Sequence, residues 1–315
     1  MDITQHIVNL DLPPRERWQF LKAYTNEMNE LFHCYLKNAY GNDFFYEAVE
    51  QYKQLVIPHE YQEEIRAVAD VCNFNENEVL VGNLYYDVLK FFIGCTAFAT
   101  HNGETMLHSR NLDWPTDDNL LSRHSMIFDF QKGGQTVFKT VSWPGFIGAL
   151  SGTSPGRFSI TLNAVVSLDK PELAYPVTFL LRDVLTSARS YHWAKTILEE
   201  TVIASDCLLL LSGVNPGEHV VIERTPKRHA TRESRENFII VTNDYKQLEN
   251  GLAENILRET SCSRYDRAQE LLRKRESISR TDCFGILKDP ELHMEITVQQ
   301  MVFDNVTGAV NVIKT

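Results

Sequence analysis

The sequence lacks a long hydrophobic run, and no stretch approaches the roughly 18–20 apolar residues that a membrane-spanning helix needs. The start, MDITQHIVNLDLPPRERW, also lacks the basic region and apolar core of a signal peptide. We therefore expect a cytoplasmic protein, unless a leader has been trimmed from the chain. No internal repeat and no low-complexity linker is present, so the 315 residues predict one large domain or two modest ones.

An excess of basic residues is missing as well. The chain has 31 Lys and Arg against 42 Asp and Glu, which gives a formal net charge of −11. Without a basic stripe, nucleic-acid binding is not expected. A hydrophobic content of 43% with 10% aromatic residues supports a substantial core.

The cysteines do not form a metal-binding pattern, because no CxxC or Cys/His spacing is present. We expect neither a metal nor a cofactor, and a chain of this length does not need disulfides. Asn305-Val306-Thr307 is a glycosylation sequon, which matters only if the protein is secreted. The six cysteines are Cys34, Cys72, Cys95, Cys207, Cys262 and Cys283.

The apolar pattern changes at Gly94. Residues 1–94 carry stripes at helical spacing and predict a helical N-terminal segment. Residues 95–315 alternate a strand block, a helix block and a second strand block, and Phe146 to Leu150 is one predicted strand. This order predicts an α+β protein with two sheets between helical layers. The N-terminal stripes most often form core, and a transient membrane-surface contact is the minority interpretation.

The stretch GCTAFATHNGETMLHSRNLDWP, residues 94–115, reads as a β-hairpin. Asn102-Gly103 is a strong signal for a two-residue turn, because both central residues of a type I′ turn need positive φ. Such a turn would place Cys95 directly opposite Arg110, with their Cβ atoms roughly 4.5–5.5 Å apart. Asp113 would lie close by, able to hold the arginine or to reach the cysteine.

A guanidinium beside a thiol favours the thiolate or binds an anionic group of a substrate. The hairpin therefore indicates a candidate catalytic cysteine. From these residues alone, a buried structural cysteine opposite a surface arginine is an equal alternative.

The same stretch resembles the nucleophile region of the cysteine N-terminal-nucleophile (Ntn) hydrolases. The similar branch is that of acid ceramidase and N-acylethanolamine acid amidase, within the choloylglycine hydrolase and penicillin V acylase superfamily. Further resemblances follow in the family's order along the chain. They are VNLDLPPRERW at the start, GFIGALSGTSPGRFSITLN at 145–163, VTNDY at 241–245 and SCSRYDRA at 261–268.

The resemblance implies a four-layer αββα sandwich with the helical segment packed on it. It also implies self-cleavage between Gly94 and Cys95, which makes residues 1–94 a pro-segment or α-subunit and residues 95–315 the catalytic β-subunit. Cys95 would then be both the new N-terminus and the nucleophile. The two fragments are expected to stay associated.

The other site residues are assigned by the same resemblance. Arg110 and Asp113 would flank the nucleophile, with Asp113 orienting the α-amine. Asn163 and Asn243 would contribute oxyanion contacts, although isolated asparagines often only satisfy strand ends. Arg264 would support the site electrostatically, and Arg267, one turn further on, is the alternative.

The chemistry agrees with this assignment. A thiol has an unperturbed pKa of about 8.5, and an adjacent free α-amine, with an unperturbed pKa of about 7.7–8.0, can serve as its base. That amine exists only once residues 1–94 are released from Cys95. In the intact chain the same thiol can attack the carbonyl of Gly94, which has no side chain to obstruct it. One site thus accounts for both maturation and turnover.

The sequence departs from the branch at Ala164, where a glutamate usually follows the asparagine. The turn of the hairpin is also one residue shorter than in the mammalian amidases. These departures weaken a narrow assignment of the substrate but leave the assignment of Cys95 unchanged. The resemblance implies hydrolysis of a linear amide in an N-acylated small molecule, with a fatty acyl chain favoured. A bile-salt or penicillin V type acylase, an acyltransferase and an uncleaved lipid-binding homologue are the alternatives.

Overall fold

A computed structural model describes residues 3–37, 43–89, 94–249, 256–275 and 277–315, with only the backbone described at 43–44, 88–89 and 256–259. The strands are β1 Thr4–Asn9, β2 Gly94–His101, β3 Met106–Asp113, β4 Met126–Lys132, β5 Gln135–Ser142, β6 Ser151–Ser154, β7 Phe158–Asn163, β8 Cys207–Ser212, β9 His219–Arg224, β10 His229–Glu233, β11 Phe238–Val241, β12 Thr297–Asp304 and β13 Ala309–Lys314. The α-helices are α1 Thr25–Leu36, α2 Asp43–Val56, α3 His59–Ala69, α4 Glu76–Asn83, α5 Tyr85–Leu89, α6 Leu120–Arg123, α7 Val177–Ser187, α8 Tyr191–Glu200, α9 Ile256–Arg273 and α10 Arg280–Leu287. Short 3₁₀ turns lie at Pro14–Glu16, Gln19–Tyr24 and Asp117–Asn119.

Two β-sheets form the centre of the molecule. The eight-stranded sheet has the order β1-β4-β5-β6-β7-β8-β9-β10, and the five-stranded sheet has the order β11-β2-β3-β12-β13. The ladders between described strands are antiparallel, except that β1 runs parallel to β4. Helices α7 and α8 pack on the larger sheet, while α9 and α10 pack on the smaller one.

The interior between the sheets is apolar at its centre. Alanines of β2 and leucines of β8 lie in one buried cluster there, and short side chains on one sheet make room for long ones on the other. A second cluster fills the space between the smaller sheet and the helices α9 and α10. The predicted four-layer αββα sandwich is confirmed.

The N-terminal segment contains the predicted helices but does not begin with one. Thr4–Asn9 forms β1, a strand that joins the edge of the larger sheet. Its residues are mostly exposed, and Val8 alone of this strand is fully buried. Nothing in its short polar pattern indicates the partner β4, which lies more than a hundred residues further along the chain. The division of the chain at residue 94 stays a prediction.

The predicted strand at Phe146 to Leu150 is wrong. This stretch is irregular, although its apolar side chains are buried as expected of a strand. Asn83 of α4 takes the place of a neighbouring strand: its Oδ1 accepts the N–H of Ile147 at 2.7 Å, and its Nδ2 donates to the carbonyl of Gly145 at 3.0 Å. A buried side-chain amide thus satisfies backbone groups that a β-ladder would otherwise pair.

A buried ion pair joins the N-terminal helices to the layer on the larger sheet. Both guanidinium nitrogens of Arg182 on α7 donate to the carboxylate of Glu64 on α3, at 2.5 and 2.7 Å. Trp18 and Arg17 also donate to that carboxylate, at 2.8 and 2.9 Å. Four donors converge on one acceptor, which offsets the cost of burying its charge.

Among the helices that the structure describes, none is both long enough and apolar enough to pass through a membrane. The cytoplasmic location and the transient membrane-surface contact stay predictions.

Candidate active site

Cys95 is the second residue of β2 and is fully buried. The hairpin that carries it is closed by a loop of four residues, Asn102 to Thr105, and His101 pairs with Met106. The Oδ1 atom of Asn102 accepts the N–H groups of Glu104 and Thr105 at 3.0 and 2.9 Å. The predicted two-residue turn is therefore wrong, because the side chain of Asn102 takes over hydrogen bonds within a longer loop.

The longer loop shifts the register by two residues. Cys95 lies opposite Leu112, and Arg110 lies opposite Ala97. A shift of two preserves the sheet face, so Arg110 remains a diagonal neighbour of Cys95 on the same side. The long guanidinium side chain spans the diagonal, and its Nη2 lies 2.9 Å from the Cys95 Sγ. The predicted pair is present although the predicted register is not.

Arg110 is held rigidly in this position. Its Nη1 donates to the carbonyl of Leu150 at 2.9 Å and to Ser151 Oγ, and its Nη2 also donates to the carbonyl of Leu162. These contacts fix the guanidinium while one N–H points at the sulfur. Burial raises the pKa of the Cys95 thiol, and the positive charge of Arg110 opposes that rise.

Asp113 ends β3 directly opposite Gly94. Its Oδ1 accepts a hydrogen bond from Thr297 Oγ1 at 2.6 Å, whereas its Oδ2 has no hydrogen-bond partner within the described residues. A Cβ atom built on Gly94 would lie 3.3 Å from that Oδ2. Burial raises the pKa of Asp113, and nearby Arg264, 4.0 Å from Oδ2, opposes the rise.

Arg264 faces the site from α9. Its Nη1 donates to the carbonyl of Cys95 at 2.6 Å and to Thr96 Oγ1 at 2.9 Å. Its Nη2 donates to Asn243 Oδ1 at 2.8 Å. Arg267 points elsewhere and pairs with Asp289 at 2.7 Å. Of the two candidate arginines, Arg264 is therefore the one beside Cys95.

The two asparagines differ in how directly they touch the nucleophile. Asn243 Oδ1 accepts the backbone N–H of Cys95 at 3.0 Å, and its Nδ2 donates to the carbonyl of Ala164 at 2.8 Å. Asn163 instead donates to the carbonyls of Val241 and Thr242, at 3.3 and 3.0 Å. Both side-chain amides are thus engaged with backbone carbonyls, and their roles as oxyanion donors stay predictions.

Thr297 and Ser151 are among the side chains of this site that sequence reasoning missed. Thr297 bonds Asp113 from a position 184 residues away, and no local signal announces that contact. Ser151 supports Arg110 and lies within the GFIGALSGTSPGRFSITLN stretch, so it could have been singled out there.

The described ranges contain no group of three or more His, Cys, Asp or Glu side chains that could hold a metal. The six cysteines are thiols rather than members of disulfides. The sequon residue Asn305 is fully buried, and its Nδ2 donates to the carbonyls of Ser212 and Gly213. Its side chain is therefore part of the interior of the folded protein.

A comparison with known families matches residues 101–310 to the acyl-coenzyme A:6-aminopenicillanic acid acyl-transferase family. The chain belongs to this family. The matched range contains Arg110, Asp113, Asn163, Asn243 and Arg264 and begins after Cys95.

The curated relatives include acid ceramidases. The rat enzyme is 32% identical over 256 residues, which cover 70% of this chain and 64% of the relative. The human enzyme is 27% identical over 277 residues, covering 77% of this chain and 66% of the relative. The chain thus spans somewhat less than two thirds of the length of these relatives, and the resemblance seen in the motifs is confirmed.

Solved structures share the fold at low sequence identity. An N-acylethanolamine-hydrolyzing acid amidase ortholog from Caenorhabditis elegans superposes with a TM-score of 0.57 and 22% identity, covering 67% of this chain and 93% of that one. A variant of the conjugated bile acid hydrolase from Clostridium perfringens gives a TM-score of 0.50 and 15% identity, covering 70% and 92%. Both similarities concern the fold.

Proposed function

We propose that this protein is an amidohydrolase that cleaves the amide bond of N-acylated small molecules through an acyl thioester on Cys95. The observation that carries the proposal is the contact of 2.9 Å between Arg110 Nη2 and Cys95 Sγ, directly after Gly94. A fixed guanidinium in contact with a thiol favours the thiolate, which is the nucleophilic form, and so opposes the effect of burial. The membership of the acyl-transferase family, which the match over residues 101–310 establishes, supports acyl chemistry.

Maturation is the first reaction of this site. The Cys95 sulfur adds to the carbonyl carbon of Gly94, and its proton passes by way of Asp113 Oδ2 to the nitrogen of Cys95. The C–N bond breaks and leaves a thioester between Gly94 and Cys95 together with a free α-amine. Water then hydrolyses the thioester, which gives a carboxylate on Gly94 and restores the thiol. Asp113 suits the transfer because its Oδ2 atom lies beside Gly94 and has no hydrogen-bond partner among the residues that the structure describes.

Turnover repeats the same chemistry on an external amide. The new α-amine takes the thiol proton, and the thiolate attacks the substrate carbonyl. The amine product leaves with a proton, and water cleaves the acyl thioester. Asn243 Oδ1 accepts the N–H of Cys95 in the intact chain and would hold the amine in the same place after cleavage.

The acyl group is proposed to be a fatty chain. An apolar cavity of about 280 Å³ lies between α2, α4 and the loop that precedes α7. Phe45, Tyr52, Val81, Leu84 and Leu173 are among its lining residues. Each buried methylene contributes about 0.8 kcal/mol, so such a surface makes affinity depend steeply on chain length. The similarity to acid ceramidases supports the same substrate class.

The test is a series of N-acyl amides that share one fluorogenic amine, measured with matured protein. We expect kcat/KM to rise with acyl length to an optimum beyond about eight carbons, since each added methylene is buried. Ala48→Trp, which fills the cavity, should move the optimum to shorter chains. Gln51→Trp, on an exposed position of the same helix, is the matched control.

A flat response to chain length, or a preference for phenoxyacetyl or steroid acyl groups, would contradict the fatty-acyl assignment. It would favour a penicillin V or bile-salt type of amidase instead. An acyltransferase remains the second candidate, because the matched family takes its name from that reaction. Adding a primary amine to the assay separates the two, since a transferase would form the new amide in preference to the free acid.

A further inference from the structure

Thr297 donates a hydrogen bond to one of the two carboxylate oxygens of Asp113. It is the first residue of β12 and lies opposite Asp113, while Gln299 lies opposite Leu112. Two residues of β3 thus face three residues of β12, which is a β-bulge. In a regular ladder a strand places alternate side chains on opposite faces. The bulge breaks that alternation and brings the Thr297 hydroxyl onto the carboxylate.

The hydroxyl has a fixed direction. Thr297 Oγ1 accepts the backbone N–H of Met294 at 2.9 Å, and the N–H of Thr297 donates to the Met294 carbonyl at 2.9 Å. With the acceptor side of the oxygen engaged, its proton goes to Asp113 Oδ1 at 2.6 Å. The other carboxylate oxygen is then left beside Gly94, without a hydrogen-bond partner in the described part of the chain.

We propose that Thr297 is a positioning residue for Asp113, which holds one carboxylate oxygen so that the other faces the Gly94–Cys95 bond. This inference rests on the proposed function. It adds to it a residue 184 positions away along the chain, outside every motif that the sequence displays.

Charged or titratable groups face the carboxylate from the elements packed against it. They are Arg110 on β3, Arg264 on α9, His293 in the turn before β12 and the Cys95 thiol on β2. Burial raises the pKa of Asp113, and the Thr297 hydrogen bond lowers it. Loss of the hydroxyl therefore raises the pKa further. The ionised carboxylate that accepts the proton would then form only at higher pH.

The experiment follows self-cleavage of the full chain against pH for the wild type and for Thr297→Val, Thr297→Ala and Thr297→Ser. We expect Val and Ala to slow cleavage by about tenfold or more and to move the rise in rate to higher pH. Thr297→Ser keeps the hydroxyl and should cleave at the wild-type rate with the wild-type pH dependence. Thr100→Val is the matched control, since Thr100 is a buried threonine of the same sheet whose hydroxyl has no hydrogen-bond partner in the described ranges.

A second arm uses Asp113→Asn as the background. If Thr297 acts through Asp113, adding Thr297→Val to Asp113→Asn should change the residual rate little. If Thr297→Val lowered the cleavage rate by the same factor in the Asp113→Asn variant as in the wild type, its role would be purely structural, and the proposal would be overturned. A pH profile of Thr297→Val that matches the wild type would also overturn it. Should Val misfold in a thermal melt, Ala provides the same comparison without the added methyl group.

The two proposals fail in different ways. A wild-type chain that stays intact at every pH would contradict the proposed function itself. A wild-type chain that cleaves, with Thr297→Val and Thr297→Ala cleaving equally fast at each pH, would contradict only the role of Thr297.

Discussion

Arg110 is the residue whose charge acts most directly on the Cys95 thiol. Burial raises the pKa of that thiol, and the guanidinium opposes the rise. We therefore expect Arg110→Ala to lower kcat/KM by roughly 10²-fold, or about 2.7 kcal/mol in transition-state free energy. The pH at which activity rises should also increase, because without the guanidinium the Cys95 thiolate forms only at higher pH. A pH series of kcat/KM on matured protein measures both effects.

Arg157 provides a control for this variant. Like Arg110 it donates to two backbone carbonyls, those of Ala188 and Val137, but its guanidinium stacks near Phe158 rather than Cys95. Arg157→Ala should leave the pH profile unchanged. If Arg110→Ala also left kcat/KM and its pH profile unchanged, the guanidinium would have no catalytic role.

Asp113 gives the second prediction for single residues. Asp113→Asn keeps the shape of the side chain but removes the basic oxygen beside Gly94. We expect self-cleavage to slow by roughly 10²-fold, the lower end of what a general acid–base residue contributes. Gel electrophoresis of the chain over time measures the rate. Cleavage as fast as in the wild type would exclude Asp113 from the proton transfer.

At this scale the sequence indicated much of the site, and for a physical reason. Side chains alternate with a period of two along a strand, so Cys95 and Arg110 lie on one face of the sheet whether the loop has two or four residues. Their proximity was therefore predicted correctly although the register was not. Thr297 could not be found in the same way. Its contact depends on a bulge in a strand that joins β3 from far along the chain.

Among the elements, α3 and α7 are joined by the buried pair of Glu64 and Arg182, whose side chains are 0% and 2% exposed. Glu64→Gln should lower the free energy of unfolding by about 3–5 kcal/mol, because it leaves an uncompensated buried guanidinium. Chemical denaturation monitored by fluorescence measures this. The exposed pair of Glu236 and Arg273 is the control, and Glu236→Gln should cost less than about 1 kcal/mol.

The double variant Glu64→Leu with Arg182→Met separates charge from packing. It removes both charges, so we expect it to be more stable than Glu64→Gln alone. If the single and the surface variants lost equal stability, the buried pair would not be what links these helices.

The elements that the sequence did not indicate share one property, which is dependence on a distant partner. β1 is a short polar segment that forms a strand by pairing with β4, far along the chain. Phe146 to Leu150 is an apolar run whose backbone is hydrogen-bonded by the side chain of Asn83 rather than by a neighbouring strand. Helical stripes and the hairpin are local patterns, and the sequence indicates both, although the loop length and the register of the hairpin differ from the prediction.

For the whole molecule, the structure predicts that the two fragments remain together after cleavage. β1 belongs to the larger sheet, and Glu64 pairs with Arg182 across the two halves. Gel filtration under native conditions should show the two fragments eluting together as one species, which separates into two bands only on denaturation. Fragments that eluted apart from each other would contradict this prediction.

Both maturation and turnover depend on cleavage of the bond between Gly94 and Cys95, and N-terminal sequencing with intact mass measurement tests that cleavage most directly. We predict that active protein contains a fragment that begins at Cys95, and that Cys95→Ala remains one inactive chain. Cys95→Ser should cleave slowly and lose most amidase activity, because an alkoxide forms far less readily than a thiolate. Fully active protein in which Cys95 is still joined to Gly94 would contradict the role of the Cys95 α-amine in catalysis.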